Sequence, residues 1–193
     1  MASYLNKFSI LLLLGLYIPI LFLGIFDLDE GAFASSSLQM LRDNQYLIPY
    51  LGDDLRLEKP IFTYWVQTFS MTLFGATEFA LRIPSIIASL IWGISFASFV
   101  RKHDNKISKT SIFLNLLTLP GVFIISFAAT ADAFLNLFIT LALINLFDYS
   151  QKPSNRNILK VSFYIALGFL TKGLTIIAIC GPVIFLFLLM QSK

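Results

Sequence analysis

Acidic residues are few in this chain and unevenly placed. Of eleven Asp and Glu in 193 residues, Asp27, Asp29, Glu30, Asp53, Asp54 and Glu58 all lie in one polar stretch. Asp27-Leu28-Asp29-Glu30 follows directly on an apolar run, and Glu58-Lys59-Pro60 closes the same stretch. Two more ionisable groups stand between apolar segments, Asp132 in Thr130-Ala131-Asp132 and Lys172 in Thr171-Lys172-Gly173. A carboxylate can orient or remove a proton and an ammonium can hold an anion, so these groups gathered at one membrane edge would form a polar reaction site. An ionisable residue at apolar depth is costly and is by default a functional candidate. Each also has a plainer reading. The acids would end a span in water, Lys59 and Lys172 would snorkel along an interface, and Asp132 would cap a helix starting at Ala133.

The elements that must position these groups are membrane helices. The chain is 57% apolar and 13% charged, whereas soluble domains run near 45–50% and 25%. Several apolar runs reach the roughly 17–25 residues that cross a hydrocarbon core. They are unbroken and do not alternate as barrel strands do. The fold class is therefore all-α integral membrane. The net charge of +3 comes from basic residues scattered over short loops, the pattern of positive-inside topology and not of a nucleic-acid surface. Cys180 is the single cysteine, which rules out an intrachain disulfide. His103 sits in a basic loop and reads as a solvated side chain, not a metal ligand.

The expected spans are 8–26, 83–100, 111–127, 133–147, 158–170 and 174–190, with both termini cytoplasmic and residues 27–82 as an extracytoplasmic loop. The first run is not followed by a small-x-small cleavage pattern, so it reads as an uncleaved span. Within the loop, residues 31–44 form a short interfacial helix with an apolar stripe at Ala34, Leu38 and Leu41. Pro49, Gly52 and Pro60 mark irregular backbone after it. Residues 61–75 would cover only about 22 Å as a helix, short of a span. If they crossed, Arg101, Lys102, Lys106 and Lys109 would face outward, so they are laid along the outer interface. Glu78 and Arg82 are expected to pair at i, i+4. Residues 158–190 would be about 50 Å long as one helix, so Thr171-Lys172-Gly173 divides them. Six spans then bring Asp29, Lys59, Asp132 and Lys172 to one side.

Five strings occur in order: DLDEGAFAS, RLEKPIFTYWV, LFGATEFALRIPS, TADAFLNLFITLAL and LGFLTKG. In that order and spacing the chain resembles, over about residues 8–182, the N-terminal half of bacterial polyprenyl-phosphate-sugar glycosyltransferases. These are membrane enzymes of the GT-C fold, related to the protein O-mannosyltransferases and to the aminoarabinose transferases that modify lipid A. Ile61 replaces a second Pro after Lys59-Pro60, a minor departure. Members of the family carry more spans, so this chain is expected to be a fragment, a truncated product or one half of a split enzyme whose partner polypeptide supplies the rest.

The resemblance implies a GT-C-like polytopic bundle in the inner (plasma) membrane, with interfacial helices in its first extracytoplasmic loop. It implies inverting transfer of a sugar from a polyprenyl-phosphate donor to a lipid or protein acceptor at the outer face. Asp29 is then the candidate base, with Glu30 and Asp132 in the catalytic set. Lys59 and Lys172 are the candidate ligands of the donor phosphate, and Glu58 the residue for a divalent cation bridging it. Phe62, Tyr64, Trp65 and Phe69 would either line a polyprenyl groove or serve as an interfacial belt and packing. Membrane lipids are partners on this reading and nucleic acid is not. Two other classes stay open: a non-catalytic membrane scaffold or remnant, and a transporter or flippase fragment. The last would show polar groups deeper in the spans and inverted repeats, and the sequence displays neither.

Overall fold

The computed structural model describes residues 2–26 and 28–191; Asp27, which opens the acidic stretch, lies outside the described residues. Helix α1 (Ala2–Ile20) is followed by turns and then by α2 (Leu28–Asp43). Its helical run ends earlier than the expected 8–26, because a side chain from elsewhere takes its last carbonyls: Arg82 donates to Ile20 O at 2.6 Å, Leu23 O at 2.5 Å and Gly24 O at 2.9 Å. Orphan carbonyls at a helix end need such a partner.

Helix α2 begins three residues before the expected Gly31 and ends at Asp43, with Asn44 at φ 50°. The stripe of Ala34, Leu38 and Leu41 does pack inward, against Met71, Ala80, Leu81 and Ala129. A second face, Phe33 and Met40, packs on Tyr64 and Ala131. The helix is thus covered on two sides. The stretch expected to be irregular contains a small antiparallel hairpin, β1 (Tyr50–Leu51) with β2 (Asp54–Leu55), turned at Gly52 with φ 66°.

Helix α3 (Phe62–Phe74) is short, as its sequence required. The polar interruption in it, Gln67, is fully buried and bridges neighbours: its Oε1 accepts from Ser37 Oγ at 2.7 Å and its Nε2 donates to Ala129 O at 2.8 Å. Helix α4 (Glu78–His103) is capped by Thr77, whose hydroxyl accepts from Ala80 N. The expected Glu78–Arg82 pair does not form; Arg82 turns inward to Glu30.

The expected 111–127 segment is not one straight helix. It breaks into α5 (Lys109–Thr118) and α6 (Pro120–Phe127), bent by 78° at Leu119. Pro120 has no N–H and its ring clashes with the preceding turn, so the helix restarts there with Pro at its first position. Helix α7 (Asp132–Gln151) and α8 (Asn155–Lys172) form an antiparallel pair, and α9 (Leu174–Gln191) follows. Between α8 and α9 the chain turns on Gly173 at φ 59°. Gly168 lets α9 come close: a Cβ there would sit 2.0 Å from Ile176 Cδ1.

The main core is Ala88, Phe134, Leu137, Phe138, Ile176 and Cys180, contributed by α4, α7 and α9 and abutted by Phe62 of α3. Helices α4 and α7 run side by side in the same direction. Lys102 Nζ meets Asp148 Oδ1 at 2.7 Å and His103 packs on Phe147 where they end. Their beginnings, Glu78 and Asp132, lie at the opposite end, where α8 finishes at Lys172. Among the described residues α4 and α7 are long and apolar enough to cross a membrane, with the α5–α6 pair a third if it is one broken span.

Candidate functional site

The first turn of α2 carries two consecutive acids. Successive helix positions are rotated by about 100°, so Asp29 and Glu30 face different surroundings. Glu30 points inward and is 1% exposed. Its Oε1 accepts from Arg82 Nε at 2.8 Å and Ala129 N at 3.0 Å, and its Oε2 from Arg82 Nη2 at 3.0 Å and Phe26 N at 3.2 Å. Burial pulls this carboxyl up, but the Arg82 hydrogen bonds, the two amides and the guanidinium charge outweigh it and hold the group below its usual range. A carboxylate has about four lone-pair sites and a guanidinium five N–H donors. Both sets are filled here, since Arg82 also donates to the carbonyls of Ile20, which ends α1, and of Leu23 and Gly24 beyond it. Glu30, one of the catalytic candidates, thus lies in the interior with its acceptor sites engaged, and its pair with Arg82 links the end of α1, α2, α4 and the connection between α6 and α7.

Asp29 faces the other way and is 41% exposed. Its Oδ1 lies 3.4 Å from Arg56 Nη2 and its Oδ2 3.6 Å from Lys59 Nζ. Both cations come from the chain between the hairpin and α3. The backbone there is pinned by Arg56 N donating to Pro49 O at 2.9 Å. Arg56 is 7% exposed, donates from Nε to Tyr64 Oη at 2.8 Å and stacks over Phe33 at 5.4 Å. Burial pushes the Tyr64 phenol up, further raised by the Asp29 and Glu58 charges and opposed by Arg56. Tyr64 is thus a neutral acceptor at ordinary pH.

A second acid–cation pair stands alongside. Asp132 occupies the first turn of α7 and Lys172 the last turn of α8, each favoured there by the helix dipole. Lys172 Nζ is bonded to Asp132 Oδ1. Asp132 does not cap α7: Ala131 is the N-cap residue, with no side-chain cap bond. Pro60 lies near Gly173, since a Cβ built on that glycine would meet Pro60 Cγ at 3.8 Å. Lys59 and Lys172 each precede one of these two neighbouring residues. Asp29, Lys59, Asp132 and Lys172 thus come to one end of the bundle.

Glu58 is exposed, and among the described residues no group of three His, Cys, Asp or Glu side chains converges to hold a metal ion. Of the aromatic set, Tyr64 is buried beneath Arg56, Trp65 donates to Tyr46 O at 2.6 Å, and Phe62 packs edge-on against Phe134 and Phe138. Phe62 and the exposed Phe69 also line an apolar groove of about 480 Å³ between α3, α4 and α7. Arg56 is the residue that sequence reasoning missed. The signal was present in Arg56-Leu57-Glu58-Lys59, where a second cation stands three residues before the first.

Residues 58–193 match the family described as dolichyl-phosphate-mannose-protein mannosyltransferase. The chain is 31% identical over 195 residues to the undecaprenyl phosphate-alpha-4-amino-4-deoxy-L-arabinose arabinosyl transferase of Wigglesworthia glossinidia brevipalpis, covering 96% of this chain and 35% of that protein. It is 28% identical over 199 residues to transferase 1 of the same name from Proteus mirabilis (strain HI4320), with coverages of 96% and 35%. The structure superposes on that of ArnT from Cupriavidus metallidurans bound to undecaprenyl phosphate, with a TM-score of 0.82 at 20% identity, covering 100% of this chain and 36% of that one. Against the apo state of the same protein the TM-score is 0.77. The chain spans about 35% of the length of these curated relatives.

Proposed function

The chain belongs to the dolichyl-phosphate-mannose-protein mannosyltransferase family, and from that premise we propose that it forms the donor-phosphate side of a membrane glycosyltransferase. The enzyme moves a sugar from a polyprenyl phosphate to a lipid or protein acceptor at the outer face of the membrane, with inversion. The observation that carries this reading is that Asp29 with Arg56 and Lys59, and Asp132 with Lys172, form two acid–cation groups whose chain segments come near each other at Pro60 and Gly173.

The chemistry asks for two things. Positive charge must stabilise the departing lipid phosphate, and an acidic group must orient or deprotonate the acceptor. Lys59 is a mobile point charge suited to the first task, with Lys172 beside it. Asp29 is exposed enough to meet an acceptor, and one long hydrogen bond from Arg56 at 3.4 Å with Lys59 at 3.6 Å leaves acceptor sites on it for one. Asp132 holds Lys172 in place. The apolar groove along α3 gives the polyprenyl chain a surface of matching chemistry that includes Phe62 and Phe69. This end of the bundle is the extracytoplasmic one, and the termini and the loops 101–110 and 148–160 are cytoplasmic in the inner membrane. The remaining spans are supplied by a further segment or a partner polypeptide.

The test is binding by the purified chain in neutral-lipid nanodiscs. Undecaprenyl phosphate should bind at least about tenfold more tightly than undecaprenol, the gain expected from a charge-assisted phosphate contact, and Lys59→Ala should erase the difference. Equal binding of phosphate and alcohol would overturn the reading.

A further inference from the structure

The two cations on Asp29 are held very differently. Arg56 is buried, fixed by Tyr64 Oη at 2.8 Å and by the face of Phe33, and addresses Oδ1. Lys59 is 23% exposed, addresses Oδ2 at 3.6 Å, and is its only salt-bridged partner on that oxygen among the described residues. A flexible ammonium with a loose contact can leave; a guanidinium locked on three sides cannot. We propose that the Asp29 carboxylate occupies Lys59 in place of the donor phosphate while the site is empty, and that Arg56 is the positioning residue that retains Asp29 when Lys59 transfers to the phosphate.

The consequence is an exchange of counter-ions, with the excess positive charge of the empty site neutralised by the phosphate that enters. The incoming phosphate takes Lys59, and Asp29 keeps one cation on Oδ1 and gains a free Oδ2 facing the acceptor side. With Arg56 absent, Asp29 would depend on Lys59 alone and would compete harder with the phosphate. Arg56 thus serves donor binding without touching the donor. Tyr64 and Phe33 set its direction, which explains why a buried phenol and a ring are placed beneath a charged residue. This inference rests on the donor reading of Lys59.

The experiment is a double-mutant cycle on undecaprenyl phosphate binding, with the full chain in phosphatidylcholine nanodiscs. Asp29→Asn, which removes the competing anion, should tighten binding. Arg56→Gln should weaken it about tenfold in the native background, the scale of one charge-assisted contact. In the Asp29→Asn background the same substitution should change binding by about twofold or less, because the competitor it restrained is gone. If Arg56→Gln does not yield folded protein, Arg56→Lys carries the test, with a smaller loss that again vanishes beside Asp29→Asn. An equal loss in both backgrounds would make Arg56 a phosphate ligand or a loop support and overturn the inference. So would Asp29→Asn leaving affinity unchanged or lowered. Unchanged binding in Lys59→Ala would instead overturn the donor reading itself.

Discussion

Replacing Glu30 with Gln should destabilise this protein's polar end while leaving ligand binding by the folded protein nearly intact. The substitution keeps the shape of the side chain and removes its charge, leaving Arg82, 1% exposed, as a buried cation with only carbonyls and an amide around it. Breaking a buried ion pair from one side costs about 3–5 kcal/mol. For a chain of this size each kcal/mol moves the melting midpoint by about 2–4 °C, so the expected drop is about 6–20 °C. Arg82→Met should be worse, since it also strands the carbonyls of Ile20, Leu23 and Gly24, at about 1–3 kcal/mol for each left dry. The pH dependence has a definite sign. The folded Glu30 carboxyl lies below its ordinary value of 4.5. Its contribution is therefore complete above that pH and is lost as pH falls from there through the folded group's lower value. The assay is thermal unfolding of nanodisc-embedded protein followed by size exclusion, run beside undecaprenyl phosphate binding at a temperature where each variant is folded. A Glu30→Gln midpoint within about 2 °C of wild type, combined with lost binding, would refute the argument and return Glu30 to the reacting groups.

Three further outcomes are expected. Single cysteines at Ser108 and Asp54 should be labelled from opposite sides of the membrane, with Asp54 accessible from outside; labelling of both from one side would contradict the proposed topology. The 193-residue chain reconstituted with polyprenyl-phosphate sugars and candidate acceptors should bind donor without transferring sugar, because it spans about 35% of its relatives; robust transfer without another polypeptide would show the site to be complete. Gly173→Ala should cost about 1–3 kcal/mol, since φ 59° with ψ −133° is closed to side-chain-bearing residues; an unchanged melting midpoint would mean that the α8–α9 turn is not fixed as described.

The all-helical membrane fold class was legible because apolar run length is a property of the sequence alone. The break at Lys172-Gly173 followed from helix length, and the short α3 from the fifteen residues available to it. The kink at Leu119-Pro120 was also written in the sequence, but an apolar count passes over a proline that the run tolerates. The pairing of Arg82 was not legible. A spacing of four residues to Glu78 offers a surface pair worth a few tenths of a kcal/mol, whereas the actual partner lies 52 positions away and is reached only when α2 folds over α4. Local spacing cannot weigh that alternative. Arg56 was missed for a related reason: its importance comes from Tyr64 and Phe33 beneath it, and neither neighbour is adjacent in sequence.

Asp29 and Glu30, adjacent in one motif, differ in how far the protein itself occupies them, and the proposed division of roles rests on that difference. The distinction is saturation. Every acceptor site of Glu30 and every donor of Arg82 is engaged within the protein at 2.5–3.2 Å. A substrate could reach either group only by breaking bonds that hold α1, α2, α4 and the connection between α6 and α7 together. Asp29 has its two cations at 3.4 and 3.6 Å and two-fifths of its side-chain surface open, so a ligand can displace a partner without unfolding anything. The 100° between consecutive helix positions turns one acid to the core and leaves the other partly exposed. The same step carries a mechanical benefit: the anchor fixes the first turn of α2, and with it the direction of the Asp29 carboxylate, from the residue next door. Loss of the Glu30 anchor should therefore disturb donor binding only as far as it loosens that turn, in proportion to lost stability. Loss of Asp29 should change binding with the melting midpoint left nearly intact.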